Sequence, residues 1–120
     1  MIIRCTAKLL RDMGIPAKNT VVPVSNETIL DDWHANMFYI GRKKSVIFCN
    51  NRTLYSVVAC GVNRENIREL SKLLRRELGK ALLDDGLDGA LIQKLVNEVR
   101  DVSFAPTDDR TVVGIMWWII

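Results

Sequence analysis

His34, the one histidine of the chain, stands two residues before Asn36 in the run DDWHANMFYI, residues 31–40. An imidazole can give or take a proton near neutral pH, so the pair has the makings of an acid–base site. In a strand over Trp33–Ile40, alternation puts His34, Asn36, Phe38 and Ile40 on one face. Trp33, Ala35, Met37 and Tyr39 fall on the other. The tryptophan face reads as core. The polar pair has two readings: a candidate pocket with Tyr55, or a structural bridge whose buried groups find hydrogen-bond partners in the fold.

Other chemical signatures are missing from the sequence. It holds no glycine-rich phosphate loop, no H-E-x-x-H and no nucleophile elbow. Catalysis needs a proton-transfer group or an activated nucleophile, and a single histidine narrows the usual choices. No residue is assigned a catalytic role on these grounds, and no cofactor is expected. Cys5, Cys49 and Cys60 with His34 make four potential zinc ligands. No two of the cysteines have the short spacing of structural zinc sites, so no metal site is expected. Each sits in or ends an apolar run, where a free cysteine packs as a small hydrophobe, and three buried thiols are predicted. An odd, widely spaced set is also a poor disulfide framework and fits a reducing cytoplasm.

Two basic clusters could neutralise phosphates. Arg64, Arg68, Lys72 and Arg75 repeat at helical spacing and form a stripe, with Arg76 beside it, and Arg42, Lys43 and Lys44 crowd a turn. Such surfaces suit nucleic acid. Glu65, Glu69 and Glu77 are interleaved, however, and helical pairs of this kind are ordinary surface support. A third feature is the apolar end Trp117-Trp118-Ile119-Ile120. Burying large apolar side chains is worth about 1.5–3 kcal/mol each, so this segment is expected in a core or against a second copy of the chain.

The elements that must position these residues can be read from periodicity. Ile2–Cys5 is a strand candidate. Thr6 is placed to cap the helix AKLLRDMG, which Gly14 ends, with Pro16 beyond. A connection over 17–32 holds a short strand candidate at Val21–Val24. Trp33–Ile40, Ser45–Cys49 and Leu54–Cys60 are rich in β-branched and aromatic residues and are separated by the turns Gly41–Lys43 and Asn50–Arg52. They make an antiparallel meander. Val46-Ile47-Phe48 is apolar on both faces, which places the meander inside a mixed sheet. Asn63 is set to cap one long helix over 64–83, with Ile67, Leu70, Leu73, Leu74, Leu78 and Leu82 as its apolar stripe. Gly79 interrupts it at a cost near 1 kcal/mol, with room for close packing in return. A shorter helix over 89–98 and a strand over 101–105 follow, with Pro106 as a break. Residues 111–120 fit a helix or a strand.

At 120 residues, 48% hydrophobic and 26% charged, the chain has the composition of one soluble globular domain spanning 1–120, and the order of its predicted elements makes that domain α+β. Its apolar runs fall far short of the roughly 18 residues of a membrane span, and Arg4 and Lys8 interrupt the start, so no secretory signal is expected. Residues 1–80 carry 14 Lys and Arg against 7 Asp and Glu, whereas residues 81–120 carry 3 against 7. The two halves could attract each other, or the basic one could face an acidic partner.

IIRCTAKLL at the start, WHANMFYIGRKKSVIFCNNRTLYSVV in the middle and DRTVVGIM near the end resemble a family of small bacterial proteins, a domain of unknown function. W-H-A-N-x-F, R-K-K and N-x-x-T-L-Y-S carry the resemblance. The last block is similar to R-[ST]-V-x-G-x-M, which polar residues follow in the family; here Trp117-Trp118 follow Met116. The resemblance implies no activity. It does imply that Trp33, His34, Asn36, Arg42, Lys43, Asn50, Thr53, Tyr55, Arg110 and Gly114 are among the family's distinctive positions.

Three functional readings follow. The first is a non-enzymatic cytoplasmic binding module that self-associates as a homodimer through Trp117–Ile120. The second is a nucleic-acid-binding protein or nuclease-type effector using the two basic clusters. The third is a small-molecule enzyme with His34 as acid or base beside Asn36.

Overall fold

The computed structural model of the chain describes residues 1–15 and 32–107. The Val21–Val24 strand candidate, Arg110, Gly114 and the Trp117–Ile120 end lie outside them.

The described residues form a mixed five-stranded sheet with helices, an α+β fold. In chain order the elements are β1 (Ile2–Cys5), α1 (Ala7–Met13), β2 (Trp33–Ile40), β3 (Lys43–Asn50), β4 (Ser56–Ala59), α2 (Arg64–Arg68), α3 (Leu70–Asp84), α4 (Gly89–Asn97) and β5 (Ser103–Pro106). The strand order is β4-β3-β2-β1-β5. The antiparallel meander is β2-β3-β4, and β1 lies between β2 and β5, parallel to both. The strand expected over 101–105 begins two residues later and takes in Pro106 as its last residue; among the described strands β5 is at the sheet edge, where proline is tolerated.

Period-two alternation decides which side chains meet the helices. Ile3, Cys5, Trp33, Ala35, Met37, Val46, Phe48, Val57 and Ala59 share one core with side chains of all four helices. On the other face Ile47 and Cys49 are also fully buried, with Phe38 against them. The double apolar character of Val46-Ile47-Phe48 therefore means what it does in a central strand: both faces are covered. Among the described residues no helix is long and apolar enough to cross a membrane.

Local chemistry sets most of the boundaries. Gly14 takes φ 76°, and its N–H and that of Ile15 return to carbonyls of the last turn of α1. The first hairpin turn is one residue shorter than expected, Gly41-Arg42, with Gly41 at φ 61°. That is the first-position glycine a two-residue turn favours. Asn63 and Asn66 form a reciprocal capping box on α2, 3.0 and 2.8 Å long. Thr6 does occupy the N-cap position of α1 but does not cap it; its hydroxyl donates instead to Asn36 Oδ1 at 3.1 Å.

The helix expected over 64–83 is two helices. Glu69, at φ −107° and ψ 53°, leaves the helical region between α2 and α3, while Ile67 and Leu70 on either side stay buried. Gly79 lies within α3, and a Cβ there would sit 3.7 Å from Val96 Cγ2, an ordinary contact. The glycine is thus not required for the packing of α3 on α4. Gly79→Ala should stabilise the fold by about 0.5–1 kcal/mol in a denaturation titration, through the lower backbone entropy of the unfolded chain. A net loss would mean that the two helices cannot accept a methyl group.

Candidate functional site

Both faces of β2 are buried from Trp33 to Met37, so the run WHANM has no open side. His34 and Asn36 are 1% and 3% exposed. His34 pairs in register with Arg4 of β1 and Cys49 of β3. Asn36 Oδ1 accepts the Thr6 hydroxyl, and its Nδ2 has no hydrogen-bond partner among the described residues. Tyr55 does not join them. It packs against the core on the helix side of the sheet, and its hydroxyl donates to Asp85 Oδ2 at 2.6 Å. The three residues of the candidate pocket therefore lie on opposite faces. Of the cysteines, Cys5 and Cys49 are buried as expected, but Cys60 is exposed because β4 ends at Ala59. Burial alone pushes the Cys5 thiol up to about 12, which leaves it unreactive.

Asn50 and Tyr55 build the loop at one end of the meander. Asn50 is fully buried, and its Oδ1 accepts from the N–H groups of Arg52 and Thr53 at 3.2 and 3.0 Å and from the Thr53 hydroxyl at 3.1 Å. The chain then passes Leu54, held at φ 62°, so that Tyr55 can reach Asp85 at the end of α3. Between the loop and α3 lies an apolar groove of about 410 Å³ lined by Leu54, Tyr55, Leu78, Leu82 and Leu87.

Burial, the hydrogen bond to Asp85 and the charges of Asp85 and Asp84 raise the Tyr55 phenol from 10 to about 12. A raised folded-state value means that the unfolded chain loses this proton first. The stability linked to it is complete below pH 10 and is lost as pH climbs from about 10 to about 12. Tyr55→Phe should remove that alkaline component from a stability–pH curve. An identical alkaline fall in the variant would show that Tyr55 does not drive it.

The opposite end of the meander collects the basic residues. Lys44 forms an ion pair with Asp12 of α1, and its backbone carbonyl accepts the Val62 N–H at 2.8 Å. That bond brings the start of α2 to β3. Arg64, Lys44, Asp12 and Ile67 line one polar cavity of about 120 Å³. Tyr39 is the cross-strand partner of Lys44. It is not core: it lies beyond Met37, the last buried residue on that face, and is 53% exposed. Lys8 Nζ sits 5.6 Å from the centre of its ring, a cation–π distance. Lys8 and Asp12 are one helical turn apart and address neighbouring members of the same strand pair. Arg42 and Lys43 are exposed at the turn itself.

The residues of the predicted stripe are carried by two helices that meet at Glu69. Arg64 and Arg68 belong to α2. Lys72, on α3, pairs with Glu69 at 3.7 Å, and Arg75 Nη1 donates to the Val99 carbonyl at 3.4 Å. Lys72 and Arg76 line a separate cavity of about 390 Å³ with Glu65 and Glu69, a surface of mixed charge. Lys8, Asp12 and an exposed Tyr39 escaped the sequence reading. The signal that could have found them is the Gly41-Arg42 turn, which fixes Tyr39 opposite Lys44.

Family comparison places the chain as well. The model of the domain of unknown function DUF6933 matches residues 2–120. The chain belongs to this family. No curated protein and no solved structure matches it. Membership of DUF6933 brings no activity to transfer, so a functional reading has to come from the geometry just described. Among the described residues no three His, Cys, Asp or Glu side chains gather as a metal site.

Proposed function

We propose that this DUF6933 chain is a non-enzymatic binding module for nucleic acid, with its working surface at the β2–β3 hairpin. The observation that carries this is the meeting of residues far apart in sequence. Lys44 and Arg64 line one cavity, beside the half-exposed ring of Tyr39, with Lys8 over that ring and Arg42 and Lys43 at the adjoining turn. Cations grouped near an exposed aromatic ring are the chemistry that phosphate and base together require. The burial of His34, 1% exposed, supports binding over acid–base catalysis.

Charge distribution adds a second argument. Asp84 and Asp85 belong to the Tyr55 end of the meander, with the eight-residue β3 between them and the hairpin. Eight residues of strand span roughly 25 Å, several times the ~8 Å screening length of physiological salt. Asp84 and Asp85 are therefore screened from the hairpin end, where, among the described residues, Asp12 pairs with Lys44.

Anisotropy titrations of labelled mixed-sequence oligonucleotides test the reading. Binding should weaken linearly in log–log form with salt, by about 0.7 in slope for each phosphate neutralised on a single strand. Arg42→Ala with Lys43→Ala should lower that slope by about 1.4 in magnitude. No binding at low salt to either single strands or duplexes would end the proposal.

A further inference from the structure

We infer that the ligand of the hairpin surface is a single strand, one base of which stacks on Tyr39 while an adjoining phosphate enters the cavity between Lys44 and Arg64. This rests on the nucleic-acid reading and narrows it. A duplex keeps its bases inside the stack and would offer this surface only phosphates, leaving an aromatic ring in water without a use. The helices at this end are also unsuited to groove reading. α1 and α2 have seven and five residues, and Leu9, Leu10, Met13 and Ile67 tie them into the core. Neither stands clear of the fold as a helix entering a major groove must.

The ring is already placed for stacking. Tyr39 is held from the strand side by register with Lys44 and from the helix side by Lys8, and 53% of it remains open. Every base has a π-face, so a platform of this kind tolerates any sequence. The phosphate position follows from the same pair of strands. Facing residues of an antiparallel ladder stand about 5 Å apart, so the group that anchors a phosphate lies next to the group that stacks. An entering phosphate competes with Asp12 for Lys44, and Asp12 therefore opposes binding.

The experiment compares mixed-sequence single-stranded DNA and RNA with their duplexes at one salt concentration, for the full chain and its variants. Single strands should bind about ten-fold more tightly than duplexes. Tyr39→Ala should weaken single-strand binding about ten-fold and leave duplex binding unchanged, while Tyr39→Phe keeps the preference. Arg64→Ala should weaken both, and Asp12→Asn should strengthen both. Because Tyr39 is exposed, circular dichroism of the alanine variant should match the parent. Duplexes binding as well as single strands, or Tyr39→Ala affecting the two alike, would overturn the stacking inference while leaving the broader reading intact. A failure of every oligonucleotide to bind would overturn both.

Discussion

Replacing Asn50 with alanine should lower the free energy of unfolding by about 2–4 kcal/mol. The side chain is fully buried and works as both acceptor and donor. Its Oδ1 gathers the Arg52 and Thr53 amides and the Thr53 hydroxyl, and its Nδ2 donates to the Asp32 carbonyl at 3.4 Å. Asp32 in turn accepts the Asn51 N–H at 2.8 Å through its carbonyl and the Ile2 N–H at 3.0 Å through its carboxylate. One amide thus joins the start of β2 to the loop after β3, and Asp32 carries the connection to β1. Alanine leaves several polar groups without partners and opens a void in a packed interior. Arg52 and Thr53 are exposed, so solvent can recover part of their hydrogen bonding, which limits the loss to this range. Urea titrations of the two proteins read the difference directly. A shift below about 0.5 kcal/mol, the size of an ordinary surface substitution, would remove Asn50 from its role as the clamp of this loop.

The motif residues divide along the same line. Among the positions that the family resemblance singles out, Trp33, His34, Asn36, Asn50, Thr53 and Tyr55 are engaged in the fold: buried in β2, organising the loop or bonded to α3. Arg42 and Lys43 are different, being exposed at a two-residue turn that asks only for Gly41. Within the first group Asn36, Asn50, Thr53 and Tyr55 make hydrogen bonds inside the fold, and Trp33 and His34 are buried in it. The second has its natural use at a surface, which is where the nucleic-acid reading puts it.

How far the fold was legible follows from the range of each signal. The meander, the Gly14 end of α1 and the Asn63 cap were readable because each depends on a few neighbouring residues. The placing of β1 between β2 and β5 was not, since strand order depends on distant chain segments whose local patterns do not name their partners. The break at Glu69 was hidden for another reason. RENIRELSKLL contains neither glycine nor proline there, and Ile67, Leu70, Leu73 and Leu74 keep their three-to-four spacing across it. Only packing shows that a single cylinder does not serve both buried segments. Tyr39 misled through the limits of alternation, which assigns a side chain to a face but not to the covered part of that face. Its exposure brings the candidate site into view, and Arg64 joins it through the Val62–Lys44 bond that no sequence spacing announces. For His34 and Asn36 the sequence posed the right question, and the bridge to Thr6 answers it for Asn36 on the structural side.

Trp33 is where two opposing terms can be separated. Among the described residues it is the largest fully buried side chain, set in β2 beside Ile3 of β1 and Asn50 of β3, and its Nε1 has no hydrogen-bond partner there. Trp33→Ala should cost about 3–5 kcal/mol, because the cavity it leaves is lined by packed side chains that can close only in part. Against typical domain stabilities of about 5–15 kcal/mol, that removes a large share of the margin. Trp33→Phe subtracts only part of the ring system while also deleting a buried donor whose unmade bond costs about 1–3 kcal/mol. The two effects nearly offset, so the phenylalanine variant should stay within about 1 kcal/mol of the parent in the same urea titration. A loss approaching that of the alanine variant would show that the indole N–H is satisfied, for instance by a buried water, and that the tryptophan is held by hydrogen bonding as well as by volume. If the phenylalanine protein matches the parent, what the position requires is an aromatic volume between β1 and β3, and the first residue of W-H-A-N-x-F belongs to packing and not to a site.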